Sequence, residues 1–207
     1  MKVVVVYDNE ALMGYKAGWG FSCYVKAKEK ILFDAGWDGN ILLHNLKKAE
    51  IEDFDYIMLS HAHWDHIGGL NHVINKTNYV IVPKSFSKNL KREISKRSEL
   101  IEINNPIEIA EGFYTTGDLN GEQSAILKSK KGLVVITGCA HPGLDKILSK
   151  AREFGKIFAV LGGFHGFSKI EELSNYLTIP CHCTSKKDEI LKFKNSRICA
   201  AGSIFKL

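Results

Sequence analysis

The pattern of apolar and polar residues along this 207-residue chain predicts an α/β protein, with two sheets facing each other and helices outside. Three observations lead there. The first part is a series of short β-rich runs joined by hairpin-length turns. The second part sets helical stretches between strand-like runs. No internal repeat, low-complexity tract or linker interrupts the chain, so residues 1–207 read as one domain.

Taken in order, residues 2–7 (K-V-V-V-V-Y) form a first strand and 8–18 a polar, glycine-containing loop. Residues 20–26 alternate, and with 30–33 they make a hairpin that ends in F-D-A-G, placing Asp34 at the mouth of a strand. Residues 40–49 carry Ile41, Leu42, Leu43 and Leu46 at helical spacing, which makes His44 an ordinary helix residue. Residues 56–59 (Y-I-M-L) are a buried strand. Residues 67–75 are helical, with His72 outside any site. A strand at 79–82 stops at Pro83, and 87–97 is a basic helix capped by Ser85 or Ser87. Strands at 100–103 and 107–110 flank the turn Asn104-Asn105-Pro106.

Residues 113–122 are polar and lead into a strand at 123–128; Lys130-Lys131-Gly132 is a hairpin turn before the strand 133–137. Helices are expected at 143–154, 170–177 and 186–192, and strands at 156–161, 197–200 and 203–206.

The totals exclude several classes. Hydrophobic content of 45% and charged content of 25% are those of a globular protein. No apolar run approaches membrane-spanning length. The net charge of +5 is modest, and the basic cluster at 84–97 has no interleaved aromatic beyond Phe86, unlike a nucleic-acid site. It suits a small anionic substrate, with no nucleic acid and no membrane as partners. The first residues read as a strand rather than a signal peptide, so a cytoplasmic location is expected. The five cysteines are odd in number and argue against a disulfide framework; Cys23 and Cys199 read as core.

The chemistry concentrates in S-H-A-H-W-D-H-I-G-G, residues 60–69. Residues two apart in extended backbone point the same way, so His61 and His63 can converge on one cation. Asp65 and His66 follow where the chain turns into a helix and can serve a second. Imidazoles with one carboxylate suit zinc, and nearly as well iron or manganese. Three further histidines, His141, His165 and His182, each follow a predicted strand, where the loops of α/β folds gather functional groups.

H-A-H-W-D-H-I-G-G resembles the H-x-H-x-D-H-x-G-G signature of the metallo-β-lactamase superfamily. G-C-A-H-P-G, L-G-G-F-H and P-C-H-C-T resemble the branch related to a dihydropterin ribofuranosyl-aminobenzene phosphate synthase of methanopterin biosynthesis. The resemblance implies a four-layer αβ/βα sandwich with a metal site where the sheets meet. It implies that Asp34 braces the site without being a ligand. The family's usual third-motif histidine is missing from its place here, and His141 can supply that imidazole, which assigns one metal to His61, His63 and His141 and another to Asp65, His66 and His182. This chain departs from the family in carrying Cys139 where many members have a bridging aspartate. Cys139 is either a soft ligand or a buried small residue. Strand alternation sets Cys181 and Cys183 opposite His182, which makes both core residues.

The function that follows is a metal-dependent hydrolase with two zinc ions and no organic cofactor. It would use metal-bound hydroxide on a phosphodiester or other phosphate-bearing small molecule, with Asp65 orienting the nucleophile and His165 as proton donor or substrate contact. Two alternatives stand beside it. One is a pterin enzyme like the synthase; the other is a non-catalytic metal-binding protein that kept the fold.

Overall fold

The computed structural model describes residues 1–207. A first sheet contains β1 (Lys2–Tyr7), β2 (Ser22–Lys26), β3 (Lys30–Phe33), β4 (Tyr56–Met58), β5 (Tyr79–Pro83) and β6 (Glu99–Ile103). A second contains β7 (Ile107–Ala110), β8 (Phe113–Thr115), β9 (Ala125–Ser129), β10 (Gly132–Thr137), β11 (Ile157–Gly163) and β12 (Leu177–Cys181). The last strand, β13 (Ile204–Lys206), returns to the first sheet, whose order is β13-β1-β2-β3-β4-β5-β6. The second runs β12-β11-β10-β9-β8-β7.

Alternation along β1 shows how the layers form. Val3 and Val5 enter the core between the sheets with Phe33, Phe113, Val134, Ile136 and Leu161. Val4 and Val6 face the other way, into a core under α1 (Gly39–Lys48) with Leu42 and Leu46. A strand apolar on both faces is what a sheet covered on both sides requires. The second sheet buries its outer face under Leu144, Ile147 and Leu148 of one helix and Ile190 of another. The result is the expected four-layer sandwich.

The remaining helices are α2 (Trp64–Ile67), α3 (Leu70–Val73), α4 (Lys88–Ser95), α5 (Leu144–Arg152) and α6 (Lys187–Ile190). No helix is long and apolar enough to cross a membrane. Ser87 caps α4 by accepting from the Leu90 N–H at 3.3 Å.

Four local expectations are corrected. The helix expected at 67–75 is two short helices, α2 and α3, interrupted at Gly68–Gly69, where a Cβ would meet the carbonyl oxygens of Trp37 and Ala35 at 2.2 Å. Residues 170–177 form a 3-10 helix over Ile170–Asn175, because Leu177 already belongs to β12. Residues 197–200 are not a strand; only isolated bridges at Ser196 and Ala201 flank them. Cys181 and Cys199 pair as a disulfide with Cα atoms 5.4 Å apart, because the return of the chain toward β13 lays Cys199 beside the end of β12.

Strands β3 to β6 are mutually parallel, as are β10 to β12. Their C-terminal ends all open at one edge of the sandwich. Ligand sites in open α/β sheets form outside such ends, and the residues singled out above lie there.

Candidate metal centre

Each functional side chain follows a strand end. Asp34 follows β3, Ser60 to His66 follow β4, Cys139 and His141 follow β10, His165 follows β11, and His182 and Cys183 follow β12. Backbone bonds hold these loops together. The Ala35 N–H donates to His66 O at 2.7 Å, Phe21 N–H to Asp65 O at 3.2 Å, and Gln123 N–H to Ser60 O at 2.9 Å. Six non-glycine residues take a left-handed φ, and four of them are Asp34, Ala140, His165 and His182. Such conformations cost about 1–3 kcal/mol each and persist where surrounding contacts fix them, typically at functional sites.

Donor atoms converge in four overlapping groups: His61, His63 and His141; His61, His66 and Cys139; Asp65, His66 and His182; and Cys139, His182 and Cys183. Within each group the atoms lie within 4.8 Å of one another. The structure thus brings together all seven expected ligands. His165 stands just outside, its ring 5.2 Å from that of His141, exposed at a cleft of about 370 Å³ that Asp145, Phe167 and Lys169 also line. His44 bonds Gly14 O on the surface, and His72 packs on Gly39; neither is near the centre.

The hydrogen bonds around the rings decide which nitrogen faces inward. Ser60 Oγ donates its single proton to Asp34 Oδ2 at 2.7 Å, so the 2.8 Å contact to His61 must be His61 Nδ1–H donating to Ser60. His66 Nδ1–H donates to Asp34 Oδ2 at 2.7 Å, and His141 Nδ1–H to Glu122 Oε2 at 2.8 Å. His182 Nδ1–H donates to Asn9 Oδ1 at 3.0 Å, whose amide donates back to His182 O at 3.2 Å. All four rings therefore turn an Nε2 lone pair toward the centre. Partners on the far nitrogen fix tautomer and orientation in this way for metal-binding histidines.

Those lone pairs need a positive partner. His61 Nε2 is buried without a hydrogen bond. His182 Nε2 lies 3.1 Å from Asp65 Oδ2, and two acceptors at that distance repel unless a cation or proton stands between them. The donor set therefore fits metal ions.

Electrostatics agree with this reading at His61 and His182, whereas the carboxylates beside His66 and His141 raise the pKa of those rings. Burial drives the His61 pKa down to about 2, helped by neighbouring His66, so the ring stays neutral. Burial likewise lowers His182 to about 4. Burial also disfavours charge on His66, but the carboxylates of Asp34, Asp65 and Glu122 together outweigh it and raise that ring's pKa. Burial opposes ionisation of Glu122, yet its bonds from His141 and from backbone N–H groups prevail and hold it at about 2.

The sequence reading missed Glu122, which is 2% exposed. It accepts from the N–H groups of Cys139, Ala140 and His141 at 2.8–3.0 Å and so shapes the whole G-C-A-H turn. A signal existed. The hairpin turn at Lys130-Lys131 pairs Gly132 with Ser129 and Ile136 with Ala125, and continuing that register sets Glu122 opposite Cys139. Asp8 and Asn9 were also missed. Asp8 Oδ1 accepts from the His182 N–H at 2.7 Å, and burial raises its pKa to about 6.

Cys183 is the residue placed wrongly. Strand alternation ends at Cys181, because His182 takes φ +44° and turns the chain. Cys183 then points toward Cys139, whereas Cys181 lies in the core as expected.

Residues 22–151, more than half of the chain, match the metallo-beta-lactamase superfamily. The chain belongs to that superfamily. It is 28% identical to an uncharacterized protein of Methanocaldococcus jannaschii, over 89% of this chain and 91% of that one. It is 26% identical to the 7,8-dihydropterin-6-methyl-4-(beta-D-ribofuranosyl)-aminobenzene-5'-phosphate synthase of the same organism, over 67% of this chain and 66% of the synthase. The crystal structure of Tm1679, a metal-dependent hydrolase of the beta-lactamase superfamily, matches with TM-score 0.82 and 27% identity over 100% of this chain and 99% of that one. Zn(2+)-bound PqqB from Methylobacterium extorquens shares the fold at TM-score 0.67 and 11% identity, over the full length of both chains.

Proposed function

We propose that the protein is a metal-dependent hydrolase acting on a phosphodiester or another phosphate-bearing small molecule. The observation that carries this reading is the gathering of four imidazoles into overlapping donor groups, two of them beside the Asp65 carboxylate, with the Nδ1 proton of each of the four already committed. His61, His63 and His141 would hold one metal ion and Asp65, His66 and His182 the other, with Cys139 beside the second. Zinc suits these donors, and iron or manganese could replace it. Bound metal ions would supply Lewis-acid polarisation and acidify water.

The chain's own groups supply the rest. Asp65 is only partly buried, so one carboxylate face can accept a proton or orient a nucleophile at the centre. His165, exposed beside His141, is placed to protonate a leaving group. Lys169 lies across the same cleft and offers a cation to a phosphate. Tm1679, similar over the full chain, is a metal-dependent hydrolase of the beta-lactamase superfamily.

A specific observation keeps a second reading alive. All three tryptophans of the chain are exposed, Trp19 by 59%, Trp37 by 56% and Trp64 by 71%. Trp19 stands edge-on to His182 at 5.0 Å, Trp64 sits inside the motif, and the Trp37 backbone passes against Gly20 and Gly68 beside it. Exposed indoles around a polar centre suit a planar ring, and a dihydropterin enzyme is among the relatives.

The test is elemental analysis of the purified protein, with phosphodiester turnover measured before and after metal reconstitution. About two metal ions per chain and metal-dependent turnover are expected, and Asp65→Ala should lower turnover by more than ~100-fold with its thermal unfolding intact. Metal-loaded protein without turnover on any phosphate ester would sink the hydrolase reading.

A further inference from the structure

Cys183 is the functional-looking side chain that the reading above leaves unused. It is partly buried, it takes no part in the Cys181–Cys199 disulfide, and it lies in the turn that carries His182. Its Sγ, the Sγ of Cys139 and a ring nitrogen of His182 lie within 4.8 Å of one another. Two neighbours adjoin this set. His66 Nε2 is 3.1 Å from Cys139 Sγ, and Asp65 Oδ2 is 3.1 Å from His182 Nε2.

The surrounding backbone leaves space for this arrangement. A Cβ on Gly163 would stand 2.7 Å from Cys183 Sγ and 3.4 Å from Cys139 Cα, so only glycine at the end of β11 lets the two cysteines meet. The Gly163 N–H donates to Gly138 O at 3.1 Å, which ties β11 to the loop carrying Cys139. On the other side, Thr184 Oγ1 donates to Cys181 O at 2.7 Å and accepts from the Phe164 N–H at 3.0 Å. Both sulfur-bearing turns are therefore fixed, and the third cysteine outside the disulfide, Cys23, lies apart in the core between the sheets.

We propose that Cys139, His182 and Cys183 form a sulfur-paired cation position that gives one half of the centre a preference for a soft, thiophilic divalent ion. The proposal rests on the metal-centre reading and deepens it. Two thiolates with imidazole select zinc, cobalt or cadmium over magnesium or manganese, which prefer oxygen. Uptake of one divalent ion replaces two S–H bonds by two metal–sulfur bonds and releases two protons to solvent, with no change of oxidation state. The opposite half, His61, His63 and His141, contains nitrogen alone.

Cobalt(II) titration of the metal-free protein tests this, because thiolate-to-cobalt charge transfer absorbs in the near ultraviolet and reports sulfur ligands directly. The wild type should show that band, Cys183→Ser should show about half of it, and the variant with Cys139→Ser and Cys183→Ser should show none. Zinc should also protect Cys139 and Cys183 of the unaltered protein from alkylation by iodoacetamide, and magnesium should not; this readout stands even if a variant fails to fold. An undiminished band in Cys183→Ser, or equal alkylation of Cys183 with and without zinc, would overturn the proposal. Two bound cobalt ions without any sulfur band would overturn it while leaving the hydrolase reading intact. No cobalt uptake at all would overturn both.

Discussion

The two halves of the centre are built from different chemistry on similar supports. One half offers three imidazoles, His61, His63 and His141; the other offers the Asp65 carboxylate, His66, His182 and two sulfurs. Each half has a buried carboxylate behind it. Glu122, from the second sheet, holds His141, and Asp34, from the first sheet, holds His66 directly and His61 through Ser60. The supports differ in reach. Asp34 fixes side chains and the Ser60 N–H, whereas Glu122 also accepts three consecutive backbone N–H groups and thereby shapes the loop itself. One carboxylate orients ligands; the other builds the turn that presents them.

That difference can be broken one side at a time. The largest effect is expected for Glu122→Gln. The amide keeps one acceptor oxygen but places an NH₂ against backbone donors, so it should unfold at lower urea by about 1–3 kcal/mol. It should also lose ~10–100-fold in metal affinity through His141. Urea unfolding of the metal-free protein, paired with zinc titration, separates the two effects, and unchanged stability would show that the turn does not depend on Glu122. Asp34→Asn should cost a similar ~10–100-fold in metal affinity with a smaller loss of stability, because only one backbone N–H depends on it. If the two variants proved indistinguishable, the contrast drawn between the supports would fail. The smallest effect is expected for Trp19→Ala, which touches His182 only by ring packing. It should weaken KM for a substrate with a planar ring by roughly 5-fold, about 1 kcal/mol of aromatic contact, and leave metal content unchanged. An equal effect on a substrate lacking a ring would remove the basis for the aromatic rim.

Much of this was legible along the chain. The H-A-H-W-D-H spacing brings candidate metal donors together because extended backbone alternates and a following helix turns, which are local rules. His141, His165 and His182 were found by their place after apolar runs, and all three come to the edge where parallel strands end. Asp34 was visible as an aspartate closing a hairpin. Glu122 was harder to see, because its partners lie 15 to 19 residues ahead and its place follows only from carrying the β9–β10 hairpin register past the strands. Asp8 and Asn9 are separated from His182 by 174 and 173 residues.

The sequence by itself determined the layers and the first donor set, since apolar periodicity and short-range spacing are set by bonds between near neighbours. The tertiary structure decided what stands behind each imidazole, that β13 closes the first sheet, that Cys199 meets Cys181, and that Cys183 faces Cys139. Those outcomes depend on strand order and on single backbone angles, such as the left-handed φ of His182, where alternation stops predicting direction.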